Sequence, residues 1–438
     1  MAPLASRTLR AEWVWSDGRL LPRQRVCIEG GLITAVTPLE QDEATDQALL
    51  LPAFHNAHSH AFQWAMRGAT QHLDAGHTED DFWSWRDKMF AVAGALDLEE
   101  AYAVALACYR QMVAQGYASV GEFHYLHRRP DLGWYEPQEA LAAVHCEAAR
   151  AAGLTMVLIP VAYERGGHNR ALVGGQRRFD TTDAATYLSY AARLRDRLSG
   201  DGVSVALGCH SLRACSRATL QAVAREASLL DLPLHIHACE QRRELRESIE
   251  EYGTEPLEVL ASVGFLGPRT TVVHGTHLAA GDLHRLRATR TTVCACPTTE
   301  RDLGDGFLEA YNLIEAGVPI AIGSDSQTSV SPREEMRLME FHERLRRERR
   351  NALTYPARAL LQPSASLLSA GSRAGAEALG LRSGRVAAGL AADLVALAAP
   401  GPLATEEEAQ TLLHTWLFCD PAPPFAQVYT RGLPRLAM

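Results

Sequence analysis

The sequence predicts an α/β fold: a (β/α)8 TIM-like barrel with a small β-sandwich domain formed by the N- and C-terminal segments. Three observations carry this. Eight short apolar runs alternate with helical stretches. Near-continuous apolar strands in βα repeats mean a parallel sheet covered on both faces, and eight such units suggest closure. The chain of 438 residues suits one barrel of roughly 250 to 350 residues plus a small accessory unit. Both chain ends read instead as short β segments.

The elements follow in order. Residues 7–50 hold LRAEWVW, a SDGR turn and RVCIEGGLITAV, which read as β-hairpins. The barrel runs are LLLPAFHNAHSH, ASVGEFHY, LTMVLIPVAY, VSVALGCHS, LPLHIHACE, TTVVHGTH, TTVCACPT and VPIAIGSDS. Helical patterns fall at 97–116, 138–152, 184–199, 216–229, 255–264, 280–287, 307–316 and 332–349. SGRVAAGLAADLVALAAP and FAQVYTRGL return to β patterning. The expected division is therefore 1–50 and 376–438 for the small β domain and 51–375 for the barrel.

Composition narrows the function classes. A net charge of −9 argues against a general nucleic-acid surface, which would be basic. No stretch approaches ~18 apolar residues, so no membrane span is expected. Nine cysteines lie scattered without a CxxC pair, which fits a reducing, cytoplasmic setting. Lys88 is the only lysine among 43 basic residues. A Schiff-base, phosphate-loop or metal-bridging lysine would have to be that one.

The chemistry-bearing residues gather where the apolar runs end, the face on which barrels place their active sites. His58 and His60 end the first run, and at i and i+2 on a strand they share one face. His235 and His237 alternate likewise on the fifth, so both are possible ligands. His237 is nearer the mouth, with Glu240 three residues on. His274 ends the sixth run and Asp325 the eighth. Singly, each could be a satisfied core histidine or a helix-capping aspartate. Together, four strands end in residue types that bind Zn2+ or Fe2+.

This series resembles the amidohydrolase superfamily. More narrowly, LPAFHNAHSHAFQWAMRG, GEFHYLH, CHSLRA, HIHACEQ, CPTTERDLGDGF and GSDSQTSVSPREE resemble, in order, the formimidoylglutamate deiminases of histidine degradation. The resemblance implies one divalent ion, Zn2+ or Fe2+, held by His58, His60, His237 and Asp325. VSVALGCHS, which offers no lysine or acid to bridge two ions, supports one ion independently. It further implies Glu240 as the proton relay to the leaving nitrogen, His274 as the group supporting the tetrahedral centre, and Asp325 as acceptor of the water's proton. Arg86 and Arg213 would each clamp one carboxylate of a dicarboxylate substrate, with Gln63, Tyr125 and His210 completing the pocket. A homodimer is the expected assembly.

The chain departs from that pattern at Gln327, Trp64 and Cys239, where a histidine, a basic residue and a small apolar residue are expected. Rival readings are a deaminase of a ring substrate such as guanine or another purine, a hydrolase acting on an amide, and a catalytically dead barrel used for binding. The first would replace paired arginines by aromatic stacking. The last would have lost a ligand or Glu240.

Overall fold

The structure, a computed structural model, describes residues 6–75 and 78–435. Its centre is a parallel barrel of β5 (Phe54–Ser59), β6 (Tyr117–His124), β7 (Thr155–Ala162), β8 (Val203–Val205) with β9 (Leu207–Cys209), β10 (Leu234–Ala238), β11 (Thr270–His274), β12 (Thr292–Ala295) and β13 (Ile320–Ile322). The numbering leaves β1 (Arg7–Ser16), β2 (Arg19–Glu29), β3 (Leu32–Pro38) and β4 (Gln47–Pro52) to the N-terminal segment. The C-terminal segment supplies β14 (Leu394–Leu397), β15 (Phe425–Thr430) and β16 (Leu433–Arg435). These seven form one mixed sheet in the order β16-β15-β14-β4-β1-β2-β3. The sheet curls until β3 meets the segment before β14, through Ile33 N to Leu390 O at 2.8 Å and Ala392 N to Gly31 O at 2.9 Å. Leu9, Val14, Val26, Ile28, Ile33, Leu394 and Tyr429 pack in the space it encloses.

The first barrel run is two strands, not one. Pro52 has no N–H with which to continue a ladder. Leu49–Leu51 pair with the small sheet, while the Phe54 N–H donates to Gly116 O in the barrel at 3.0 Å. The fourth barrel position is likewise split at Ala206.

Helices cover the barrel at the expected places. The helix Leu98–Ala114 shows why. Asp97 and Glu100 form a capping box. Ala101, Ala105, Cys108, Tyr109 and Met112 then repeat at helical spacing and are buried. Five helical segments, apart from short 3-10 turns, were not expected, and two of them, Arg242–Tyr252 and Pro297–Leu303, follow β10 and β12. Phe82–Ala95 lies at the barrel mouth. Pro363–Ala378, with a π-turn at Ala370–Ala374, plugs the base, where Ala374 and Ala378 pack against Ala57, Val273, Cys294 and Ala321. Glu406–Phe418 interrupts the C-terminal β segments, behind a Thr405–Glu408 capping box.

Barrel closure matters for the site. The last strand joins the first through His60 N to Asp325 O at 3.2 Å and Asp325 N to His58 O at 3.1 Å. Gly323 permits this approach, since a Cβ there would lie 2.8 Å from the His58 Cβ. The seam thus sets Asp325 beside the histidine pair.

Candidate active site

His58, His60, His237 and Asp325 present ligand atoms that all lie within 4.8 Å of one another, and all four residues are buried. The Nε2 atoms of His60 and His237 stand 3.1 and 3.0 Å from that of His58. Asp325 Oδ1 stands 3.3 Å from His58 Nε2 and 3.1 Å from His60 Nε2. Tetrahedral ligands at ~2.0–2.1 Å from an ion would be about 3.3 Å apart. The groups behind these nitrogens fit the same arrangement. His60 Nδ1 and His237 Nδ1 each lie 3.0 Å from a backbone carbonyl, of Phe123 and His210. Donation there leaves bare Nε2 lone pairs facing inward. Burial pushes the His58 pKa down to about 3, so this imidazole stays neutral. Converging lone pairs beside a carboxylate repel unless a cation lies between them, and the four residues fit a divalent ion.

His235, the alternative ligand, sits one pleat deeper. Its Nε2 lies 3.2 Å from the Ala378 carbonyl of the plugging helix. Lys88 pairs with Asp74 at 3.1 Å.

His274 adjoins the cluster. Its Nε2 is 3.6 Å from Glu240 Oε1 and 3.8 Å from Asp325 Oδ2, and its Nδ1 is 3.4 Å from Glu300 Oε1. Burial alone would lower its pKa, but Glu240, Glu300 and Asp325 outweigh burial and raise it well above the usual imidazole value. Burial raises Glu240, against the pull of His274 and Arg213. Glu300 was missed in the sequence; it follows the seventh run, and Cys296 N–H donates to it at 3.0 Å. His274 (φ 74°), Asp325 (φ 45°) and Cys239 (φ 58°) all hold left-handed backbone at or just past strand ends. Such strain costs of order 1–3 kcal/mol per residue and gathers at functional sites.

The pocket above the cluster is a narrow cleft lined by Gln63, Arg86, Tyr125, His210 and Arg213, all expected, and by Tyr163, which was not. Tyr163 ends the third barrel run, where its position could have marked it. Gln63 Nε2–H donates to Tyr125 Oη at 2.9 Å. Arg86 comes from the helix Phe82–Ala95. Trp83 of that helix lies 4.5 Å from Arg86, 5.5 Å from Arg213 and 4.2 Å from Arg243, measured from guanidinium carbon to ring centre. Arg86 Nε and Arg213 Nε and Nη1 are buried without hydrogen-bond partners among the described residues. Burial and the charge of Arg213 lower the Arg86 pKa. Arg165, also at the rim, is spent on Glu251 at 2.6 Å. A larger cleft between the small sheet and the start of β13 contains no cluster of ligand-type atoms among the described residues.

The amidohydrolase family model matches residues 49–430. The chain belongs to the amidohydrolase family. It is a hydrolase acting on C–N bonds, and members of this family usually bind a divalent metal. The chain is 34% identical over 391 residues to the formimidoylglutamate deiminase of Pseudomonas aeruginosa, covering 89% of this chain and 85% of that protein. It is 29% identical over 395 residues to a 5-methylthioadenosine/S-adenosylhomocysteine deaminase of Halobacterium salinarum, covering 88% and 81%. A crystal structure of an amidohydrolase from Brucella melitensis superposes with a TM-score of 0.90 at 30% identity, covering 98% and 94%. Among the described residues no helix is long and apolar enough to cross a membrane.

Of the three departures, Gln327 has the clearest place in this amidohydrolase. It is fully buried behind the seam. Asn56 Nδ2–H donates to Ser324 Oγ (2.6 Å), Ser324 Oγ–H to Gln327 Oε1 (2.8 Å), Gln327 Nε2–H to Ser59 Oγ (2.9 Å), and Ser59 Oγ–H to Glu122 Oε2 (2.8 Å). These bonds tie β5 to the segment after β13, beneath the four-residue cluster. Gln327→Leu should therefore lower stability by about 1–3 kcal/mol, the cost of stranding buried polar partners. The reaction product should stay the same. Denaturant unfolding with product analysis checks both. Cys239 is buried, and Trp64 stacks under Arg67 at 4.0 Å.

Proposed function

We propose that this amidohydrolase is an N-formimino-L-glutamate iminohydrolase, converting substrate and water to N-formyl-L-glutamate and ammonia. The observation that carries the reading is the pair Arg86 and Arg213, half-buried above the ligand cluster, with Arg86 Nε and Arg213 Nε and Nη1 facing no protein acceptor among the described residues. Two adjacent guanidiniums, with only Glu240 Oε2 at 3.8 Å from Arg213 Nη2 as a partial counter-charge, favour a dianionic ligand and match carboxylates bidentately. A neutral purine would bring a carboxylate to neither.

His58, His60, His237 and Asp325 would hold one divalent ion, Zn2+ or Fe2+, which supplies Lewis acidity and makes water reactive near neutral pH. The arginines orient the dicarboxylate so that its formimino carbon faces His274, Glu240 and Asp325. Water adds to that carbon while Asp325 takes its proton. His274, held protonated by its carboxylate neighbours, supports the charge on the tetrahedral centre. Glu240, raised by burial, passes both of the water's protons to the terminal nitrogen, the second as the hydroxyl becomes the formyl carbonyl, and the nitrogen leaves as ammonia as the C–N bond breaks. Gln63, Tyr125 and His210 line the remaining wall.

Purified active protein should carry one tightly bound equivalent, and a chelator should abolish turnover until metal is restored. Metal analysis giving two equivalents at full activity would contradict this ligand assignment. The reaction itself is checked by product analysis. N-formylglutamate and ammonia in equal amounts support the proposal. Glutamate and formamide would mean that the other C–N bond is cut, and no turnover of formiminoglutamate would remove the substrate reading.

A further inference from the structure

A second trio of donors lies beside the first cluster. His274 closes β11, Cys296 follows β12 and Asp325 follows β13, and one ligand atom from each lies within 4.8 Å of the others. We propose that His274, Cys296 and Asp325 form a second, weaker site for a thiophilic divalent ion, such as Cd2+ or excess Zn2+, and that filling it blocks the enzyme.

The donor set is a thiol, an imidazole and a carboxylate, the combination that soft and borderline ions prefer. The surroundings favour added positive charge. Glu240 Oε1 and Glu300 Oε1 stand 3.6 and 3.4 Å from the two ring nitrogens of His274. Glu300 Oε2 is buried without a hydrogen-bond partner among the described residues. Asp325 offers a different oxygen to each side: Oδ1 faces His58 and His60, and Oδ2 faces His274. A carboxylate shared in this way can serve two ions ~3.5–4 Å apart. The second ion has three protein ligands instead of four and lies beside another cation, so it binds more weakly. It replaces the Cys296 thiol proton and one ring proton of His274, both of which pass to solvent, and no electrons move. Blockage follows because the ion ties up His274 and Asp325. That half of the proposal rests on the roles given to them above, whereas the binding half does not.

The test uses zinc-loaded enzyme in a Cys419→Ser background, because Cys419 is exposed. Cd2+ is titrated while three signals are followed: bound Zn2+ and Cd2+ by equilibrium dialysis, thiolate-to-cadmium absorbance in the ultraviolet, and ammonia release. One Cd2+ should add with zinc retained, thiolate absorbance should rise, and activity should fall in step. Cys296→Ser and Cys296→Ala should each weaken that second binding at least ~30-fold, on the scale of losing a ligand contact, while keeping zinc and turnover. Cys294→Ser should behave like the parent. No second equivalent, or thiolate absorbance surviving in both Cys296 variants, overturns the site. Second binding without inhibition would leave the site standing and overturn the blocking role, and with it the parts assigned to His274 and Asp325.

Discussion

Glu240→Gln should keep the metal and leave KM nearly unchanged while kcat falls ~10² or more, the usual scale of a proton-transfer residue. Glutamine fills the same volume, and Glu240 is no member of the four-residue ligand cluster. What is lost is a carboxyl that burial has made easier to protonate, 3.6 Å from His274 Nε2. Ammonia is expelled readily only once its nitrogen has gained a proton, so the loss should fall on turnover. Steady-state kinetics with metal analysis on the same sample check it. A near-normal kcat would remove Glu240 from the mechanism. A falling metal content would make it a ligand-supporting group instead.

Arg86→Ala and Arg213→Ala should each lower kcat/KM on formiminoglutamate at least ~30-fold, since an unpaired carboxylate in a closed pocket costs about 2–5 kcal/mol. The two variants should differ in kind. Arg86 lies over the rings of Trp83 and Phe90 and lines the pocket, so its loss should appear mainly in KM. Arg213 Nη2 also stands 3.8 Å from Glu240 Oε2 and lowers the Glu240 pKa. Its loss should therefore reduce kcat as well. Converting one substrate carboxylate to an amide supplies the matching control. That analogue should react poorly with the parent enzyme but lose little more in the variant lacking the matching arginine. Full activity in both variants would defeat the dicarboxylate reading.

The grouping of His58, His60, His237 and Asp325 was legible in the sequence for a physical reason. Ligands at strand ends need only the alternation of a strand and the convergence of a barrel mouth. What alternation could not decide was His235 against His237, because both share a face and depth is invisible to a period of two. The helix Phe82–Ala95 escaped notice because its apolar residues serve the pocket below, not a periodic core stripe. Asp81 and Ser84, which form its capping box, were the available signal. The plugging helix Pro363–Ala378 was missed because its contacts are small residues against the barrel interior, including Ala374 and Ala378. Glu300 could not be placed beside His274 without the fold, being 26 positions away in the chain. Gln327 was noticed as a departure, but its four-bond chain from Asn56 to Glu122 depends on the β5–β13 seam.

The most direct measurement is the ratio of kcat/KM for N-formimino-L-glutamate to that for a neutral purine and a purine nucleoside, on one preparation with its metal content known. The arginine pair predicts a ratio of at least ~10³, since two carboxylate contacts each contribute about 2 kcal/mol or more. A ratio near one, or a preference for the purine, would contradict the account.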